Sequence, residues 1–516
     1  MSAQEGRDVA HQSTRSFRGK VTREFQDIRE SWAVPATRRG MLATTLILVG
    51  SYSPASLPNS NPFRSVPVLG SLQYWPGRGI ATAILLVGVV LLLDAWLRLR
   101  PSSLHRPTTR GTLWLWCLPL LAAPPLLSFD AYSYAAQGYM VHRGFDPYTF
   151  GPAVLDGVYQ EQVDQYWQYT PAPYGPLSLQ IQHVLVDLSG FNAYLSAILM
   201  RIPALVGVVL IAVYLPRLAR RLGYDREATI WLAVLNPLLV LHFVGGAHND
   251  SLMLGLMVFG LWLAVRRHLV WGALAVAAAA TIKQPAAAAI LAVAALHARR
   301  VKGEEPTNRE VGRAAVPAIG VFLGGFVAIS LATGLGFGWV KATGVPGIIR
   351  SMLAPFTALG TGLEWLFNLV GWNDTAGAVV PFLQKVGMGV GALASLWLIW
   401  RFKARRPVRT LGWILLVFVV TGAVVHPWYL LWGGLILAMT ESTPKRRRVV
   451  LWASAGLVLY SAFDAAWFLN SVSALSVTVL LLFVWVVTGH DKGLDRDADL
   501  ARAATERRRP GSPPDP

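Results

Sequence analysis

Four polar clusters interrupt an otherwise apolar chain, and each holds side chains able to work on a charged or hydroxylated substrate. The first opens at Ser128 and runs to about Pro176. It carries Asp130, Asp146, Asp156, Glu161 and Asp164 against one base, Arg143, and it is dense in tyrosine. Aromatic rings with polar tips beside carboxylates suit carbohydrate, because ring faces stack on sugars and carboxylates bind hydroxyls. The alternative for these tyrosines, Tyr132, Tyr134 and Tyr174 among them, is a belt at the level of lipid headgroups. Asp130 stands apart from the other acids. It follows Pro124-Pro125 at the end of an apolar run and begins the polar stretch. A carboxylate there can meet both a lipid-borne and a water-borne substrate. Its structural alternative is a helix start, with Ser128 as cap and Asp130 complementing the helix dipole.

The second cluster is Val244-Gly-Gly-Ala-His248-Asn249-Asp250-Ser251. Ionisable groups at a turn at membrane depth are costly unless used or mutually bonded. Asn249 as a simple helix cap is the alternative. The third is Thr281-Ile-Lys283-Gln284-Pro285. Pro285 fits the first turn of a helix. Lys283 then lies beside a helix start that already favours an anion, or else snorkels to an interface. The fourth is Val424-Val425-His426-Pro427-Trp428-Tyr429. His426 suits a phosphate donor or a proton carrier, and an interfacial aromatic cluster is equally compatible with the residues. Arg350 is a further candidate cation, and Asp464 has no assigned role. No pair among His142, His248 and His426 has the spacing of zinc ligands. The single cysteine, Cys117, excludes a cysteine cluster. No metal or other cofactor is expected.

The elements that position these clusters are apolar. The chain has 516 residues, 54% hydrophobic and only 14% charged, with mean hydropathy +0.45. A soluble domain carries about a quarter charged residues, so a large soluble enzyme and a disordered chain are both excluded. Apolar runs fall at roughly 41–52, 79–97, 112–127, 194–215, 228–244, 250–265, 269–282, 285–297, 314–333, 378–400, 410–425, 428–440, 449–465 and 471–488. The expected fold is all-α and polytopic, with about 12–14 transmembrane helices. The pair around Lys283 is short, which suggests two half-helices or a tight hairpin.

The net charge of +18 would point to nucleic acid in a soluble protein. Here Lys and Arg gather at 98–110, 216–227, 266–268, 299–313, 401–409 and 445–448. They avoid 53–78, 128–193, 245–249, 334–377 and 426–427. This is the positive-inside alternation. It predicts a multi-pass protein of the plasma membrane, with both termini cytoplasmic, the polar clusters outside and no nucleic-acid partner. Pro176 to Gly190 is then placed at the outer interface rather than across the bilayer. Three regions follow: a cytoplasmic segment 1–40, a polytopic domain 41–490 with outer stretches 128–193 and 334–377, and a disordered cytoplasmic tail 491–516.

SFDAYSYAAQGYMVHRGFDPYTFGP, YTPAPYGPLSLQI, LNPLLVLHFVGGAHNDSLMLGL and KQPAAAAIL together resemble the polyprenol-phosphate-mannose-dependent α-1,6-mannosyltransferases, membrane glycosyltransferases of the GT-C type. The similarity covers about residues 40 to 490. It implies inverting transfer of mannose from a polyprenyl phosphate mannose to a mannolipid hydroxyl of the outer leaflet, in a phosphatidylinositol mannoside or lipomannan precursor. It maps the family's catalytic acid, in the first large outer loop, onto Asp130, and it implies metal-independent chemistry. Such transfer needs one carboxylate to take the acceptor proton and cations or amides for the departing phosphate. Asp130 is therefore expected as the base. Lys283, with His248, Arg350 or His426, is expected at the phosphate. Asp146, Asn249, Asp250, Tyr132, Tyr134 and Tyr174 are expected at sugar or acceptor. The rivals are another polyprenyl-phosphate-sugar transferase (protein O-mannosyl or arabinosyl) and a lipid-linked sugar flippase or transporter.

Overall fold

The computed structural model describes residues 25–101, 110–342, 344–441 and 443–467, and all regular structure among them is helical. The chain runs through α1 (Pro35–Gly50), α2 (Gly77–Arg98), α3 (Arg110–Leu120), α4 (Asp130–His142), α5 (Pro176–Leu188) and α6 (Arg201–Arg221). It continues through α7 (Asp250–Val265), α8 (Leu269–Ile282), α9 (Ala289–Lys302), α10 (Asn308–Ala332) and α11 (Pro355–Leu369). It ends in α12 (Asn373–Phe402), α13 (Pro407–Thr421), α14 (Leu430–Thr440) and α15 (Pro444–Trp467).

Among the described residues, five helices are long and apolar enough to cross a membrane: α2, the Ala193–Arg221 helix containing α6, α10, α12 and the Lys445–Ala465 part of α15. The run expected at 228–244 is not one straight span. It breaks into Arg226–Val234 and Leu239–Gly245, bent by 57°, because Asn236 and Pro237 fall in its middle and Pro removes a helical N–H. The remaining apolar runs form shorter helices, α3, α7, α8, α13 and α14 among them. Lys283 does separate two short helices, with extended backbone at φ −153° and ψ 126°. The interval 334–377 is more ordered than a loop. It contains α11, which packs on α12. The scarcity of Lys and Arg marked the interval, and that says nothing against a helix. The span expected at 471–488, the tail 491–516 and residues 1–24 lie outside the described residues.

The apolar windows of α10 and α12 are only 17% buried, against 72% for α2. Bare apolar faces of that length need lipid around them, and the chain is a polytopic membrane protein. The inner helices are tied by close approach. A Cβ on Gly207 of α6 would lie 2.2 Å from the Ser251 carbonyl oxygen, and one on Gly255 would lie 2.7 Å from Gly207. Small residues at such crossings let membrane helices touch backbone to backbone. Ser251 Oγ seals the contact by donating to the Ala204 carbonyl at 2.6 Å.

The two ends of the bundle differ in chemistry. At one end the basic intervals meet. Arg447 pairs with Asp225 at 3.3 Å, Arg409 and Arg446 share Glu441 at 2.9 and 3.2 Å, and Arg405 pairs with Glu305 at 3.3 Å. Arg201 and Arg221 bound α6, so the opposite end lies about 30 Å away. The four polar clusters collect there.

Candidate active site

The foundation of that end is Arg201. Its guanidinium is 3% exposed and donates to four backbone carbonyls: Val244 at 2.9 Å, Leu121 at 3.0 Å, Ala123 at 2.9 Å and Gly245 at 3.0 Å. The carbonyls belong to two segments, the exit from α3 and the glycine turn before α7. Without Arg201 they would be unsatisfied in a buried place. The Leu126 N–H also donates to the Gly245 carbonyl at 3.1 Å. Two non-glycine residues adopt left-handed backbone in these segments, Leu127 at φ 57° and Ala247 at φ 56°. That conformation is uncommon for side chains with a Cβ. One lies just before Ser128 and Asp130, the other directly before His248. The clamp thus holds two strained turns side by side.

Asp130 opens α4. Ser128 accepts from the Asp130 N–H at 3.1 Å and donates to Asp130 Oδ1 at 3.0 Å. Asp130 does lie in the first turn of α4, although the N-cap is Phe129 and not Ser128, and this leaves the second carboxylate oxygen for other partners. Oδ2 receives the Tyr134 hydroxyl at 3.3 Å and lies 3.4 Å from His248 Nδ1. Burial works to raise the Asp130 carboxyl, but the bond with His248, aided by Ser128, outweighs it and holds the group well below the ordinary carboxylate range. The side chain is still 14% exposed, so it is ionised and reachable.

Trp428 links the second and fourth clusters. The His248 ring stacks on it with centroids 3.7 Å apart, and His426 stacks on it at 4.6 Å. His242 lies 5.1 Å from the same ring. Burial pushes His426 down to about 4, which makes it neutral near pH 7.

A cleft of about 360 Å³ opens on this arrangement. Asp130, His426, Trp428 and Arg350 line it, with Asp164, Tyr166, Trp167 and Asp464 around them. Arg350 is not a free cation. It is gripped by both oxygens of Glu364, one at 2.9 Å. Asp164, Trp167 and Asp464 received no role from the sequence. The signal available for them was the clustering of outer acids and aromatic residues, which names a region and no single residue.

The other predicted residues are placed differently. Lys283 does not line the cleft. Its ammonium donates to both oxygens of Asp250, at 2.9 and 3.1 Å, and lies 3.4 Å from the Tyr429 hydroxyl. Trp432 Nε1 adds a 2.7 Å bond to Asp250. The ring centroids of Tyr429, Trp432 and Tyr174 lie 4.5, 5.1 and 5.6 Å from the ammonium. Both charges are therefore satisfied within the protein, and Asp250, 0% exposed, is not among the residues that line the cleft. At the helix start after Lys283 the ammonium is taken by a carboxylate of the chain itself. Asp146 is likewise used locally, accepting from the Tyr148 N–H at 2.9 Å and the Thr149 hydroxyl at 2.6 Å. Tyr132 is buried and donates to the Ser56 carbonyl at 3.2 Å. Asn249, Tyr134 and Tyr174 form the wall behind Asp130. Asn249 donates to Ser178 at 3.1 Å, and Tyr134 meets Tyr174 edge to face at 5.2 Å. The Gly175 N–H donates to the Ile282 carbonyl at 3.0 Å, which pins the tyrosine-rich stretch to the Lys283 break.

Similarity to known proteins agrees with the arrangement. Residues 37–299 match the model of an alpha-(1→6)-mannopyranosyltransferase N-terminal domain, and residues 356–489 match the MptB C-terminal domain. A probable alpha-(1→6)-mannopyranosyltransferase of Mycolicibacterium smegmatis is 33% identical over 446 residues, 78% of each chain. An alpha-(1→6)-mannopyranosyltransferase of Mycobacterium tuberculosis is 30% identical over 519 residues, 87% of each chain. Alpha-(1→6)-mannopyranosyltransferase A of Corynebacterium glutamicum is 28% identical over 90% of this chain and 99% of its own length. With the polar cleft, the apolar helical frame and both domain models spread along one chain, this membrane protein belongs to the alpha-(1→6)-mannopyranosyltransferase family of glycosyltransferases.

Proposed function

We propose that the chain is an inverting mannosyltransferase that takes mannose from a polyprenyl phosphate mannose and forms an α-1,6 bond to a mannolipid hydroxyl. The acceptor class is a phosphatidylinositol mannoside or a lipomannan core. The observation that carries this reading is the cleft that Asp130, an ionised carboxylate, lines together with Arg350 and His426. Asp130 takes the hydroxyl proton as the acceptor oxygen bonds to the sugar's anomeric carbon. The bond from that carbon to the phosphate oxygen breaks, and its electron pair leaves with the polyprenyl phosphate. Arg350, held by Glu364 but with its side chain half-exposed, and the neutral His426 are the donors offered to the growing phosphate charge, and Tyr166 and Trp167 offer ring faces to the sugars. One carboxylate suffices, because inversion needs no nucleophile from the protein, and no metal is assigned to this step. Lys283 and Asp250 support the wall as a mutually neutralised pair.

The meeting of the basic intervals at the far end of the bundle supports an orientation with that end and both termini in the cytoplasm. The cleft then opens at the outer leaflet of the plasma membrane, where both lipids are at hand.

Asp130→Asn is the direct test, in an assay of purified enzyme in detergent with polyprenyl phosphate mannose. Loss of a general base costs 10²–10⁴-fold in turnover, so turnover should fall by about that much with the protein still inserted and folded. Retention of more than a tenth of the wild-type rate would remove Asp130 from the step. Linkage analysis of the product separates this function from a related sugar transferase. A flippase forms no bond at all.

A further inference from the structure

The far ends of α4 and α5 carry a second cluster that the transfer step does not use. His142 closes α4, and His183 and Asp187 lie one turn apart on α5. His142 Nδ1 is 2.9 Å from Asp187 Oδ1, and His183 Nε2 is 3.4 Å from Asp187 Oδ2. One ligand atom from each of the three residues lies within 4.8 Å of the others. Tetrahedral zinc with ligands at 2.0–2.2 Å separates neighbouring ligand atoms by about 3.3 Å. The three atoms thus need only small rotamer adjustments to share one ion.

The sequence hid the cluster because its spacing is split. His183 and Asp187 give an i, i+4 pair on one helix face, while the third ligand is some forty residues earlier. What joins them is the crossing of the two helices. A Cβ on Gly138 would lie 2.6 Å from the Gln182 carbonyl oxygen, so the backbones touch one turn before His142. That contact delivers His142 onto the His183–Asp187 face.

We propose that His142, His183 and Asp187 form a divalent transition-metal site, suited best to zinc, that staples α4 to α5. Two imidazoles and one carboxylate are borderline ligands that zinc accepts, whereas magnesium and calcium prefer all-oxygen sets. Asp187 is half-exposed and His142 a third exposed, which leaves room for water at the fourth position. The site lies at the opposite end of α4 from Asp130, about 18 Å along the helix. It therefore acts on the framework: α4 carries Asp130 at its start, and α5 holds Asn249 through Ser178. A staple between the two helices steadies the wall of the cleft without touching the reaction. The proposal is independent of the reaction assigned above.

The test uses the full-length protein in detergent, stripped with a chelator and then titrated with zinc sulfate against a chromogenic competitor. One equivalent of zinc should bind and raise the thermal midpoint, and magnesium should do neither. Asp187→Asn and His183→Ala should each weaken zinc binding at least tenfold and abolish the thermal shift. Asn192→Ala, which removes the cap of the next helix, should lower the metal-free thermal midpoint yet bind zinc and show the same zinc-induced rise as the wild type. Asp187→Asn is nearly isosteric, and its unshifted thermal midpoint without metal verifies that it folds. Absence of zinc binding to the wild type would overturn the proposal. So would equal binding by wild type and both variants, since the metal would then sit elsewhere.

Discussion

Lys283 is the residue whose role the structure changes most, and a double-mutant cycle with Asp250 tests the change. Lys283→Ala removes the ammonium that touches both oxygens of Asp250. The carboxylate, with its side chain 1% exposed, keeps only the Trp432 N–H at 2.7 Å. A buried charge stripped of its partner costs about 3–5 kcal/mol. Asp250→Ala strands the ammonium instead. Lys283 still has the Tyr429 hydroxyl at 3.4 Å and the faces of Tyr429 and Trp432 at 4.5 and 5.1 Å. Cation–π contact in a desolvated place returns about 1–2 kcal/mol, so this variant should lose about 1–4 kcal/mol. The double variant leaves no stranded charge. It should lose less than the sum of the single losses by at least about 2 kcal/mol. Unfolding midpoints of the four proteins in mixed micelles measure the coupling, and donor titrations measure KM. A Lys283→Ala protein of wild-type stability whose donor KM rises tenfold would refute the reasoning, because the ammonium would then have been free to hold phosphate.

Two further outcomes follow from the same geometry. Asp130 is held below the ordinary carboxylate range, so its charge contributes stability above pH ~4 that is lost as pH falls through its lower folded value. Buried His426, pushed down to about 4, stays neutral while an unfolded histidine gains a proton below pH ~6.5, so it lowers stability across the interval from about 6.5 down to 4. Neither group changes charge in the folded enzyme between pH 5 and 8, and turnover there should vary less than threefold. An acid limb centred near pH 6.5 would show a protonated histidine taking part. Gly207→Val forces α6 and α7 apart at a contact of 2.2 Å to backbone. It should cost at least about 2 kcal/mol and raise the fraction aggregated after detergent extraction.

The polar clusters were legible because ionisable residues are rare in this chain and expensive at membrane depth. The same rarity makes Asp130 stand out, and it lines the cleft together with Ser128. The basic intervals marked one end of the bundle, and their ion pairs do meet there. What the sequence could not carry was pairing across distance. Lys283 read alone is an unpaired cation, and only folding reveals Asp250 as its counter-ion, 33 residues away. Trp428 read alone is an interfacial aromatic, yet it is the surface on which His248 and His426 are laid. The α11 helix was hidden for a different reason: charge patterning locates intervals between spans and is silent on their internal structure. Arg201 leaves no partner to find in the sequence: it is a single arginine inside the apolar run 194–215, and what it binds are backbone carbonyls.

That arginine has an evolutionary consequence. Its four partners are carbonyl oxygens, which every amino acid supplies. Leu121, Ala123 and Val244 are thus free to drift in identity, within the space available, without disturbing the guanidinium, whereas Gly245 is held by the Leu126 side chain, 2.5 Å from where a Cβ would lie. Arg201 itself has no substitute, since no other side chain presents a rigid planar fork of five donors. Homologues should therefore keep the arginine while varying around it, and no residue should co-vary with it. A search for coupled sequence changes would pass over the joint that holds the two halves of the site together.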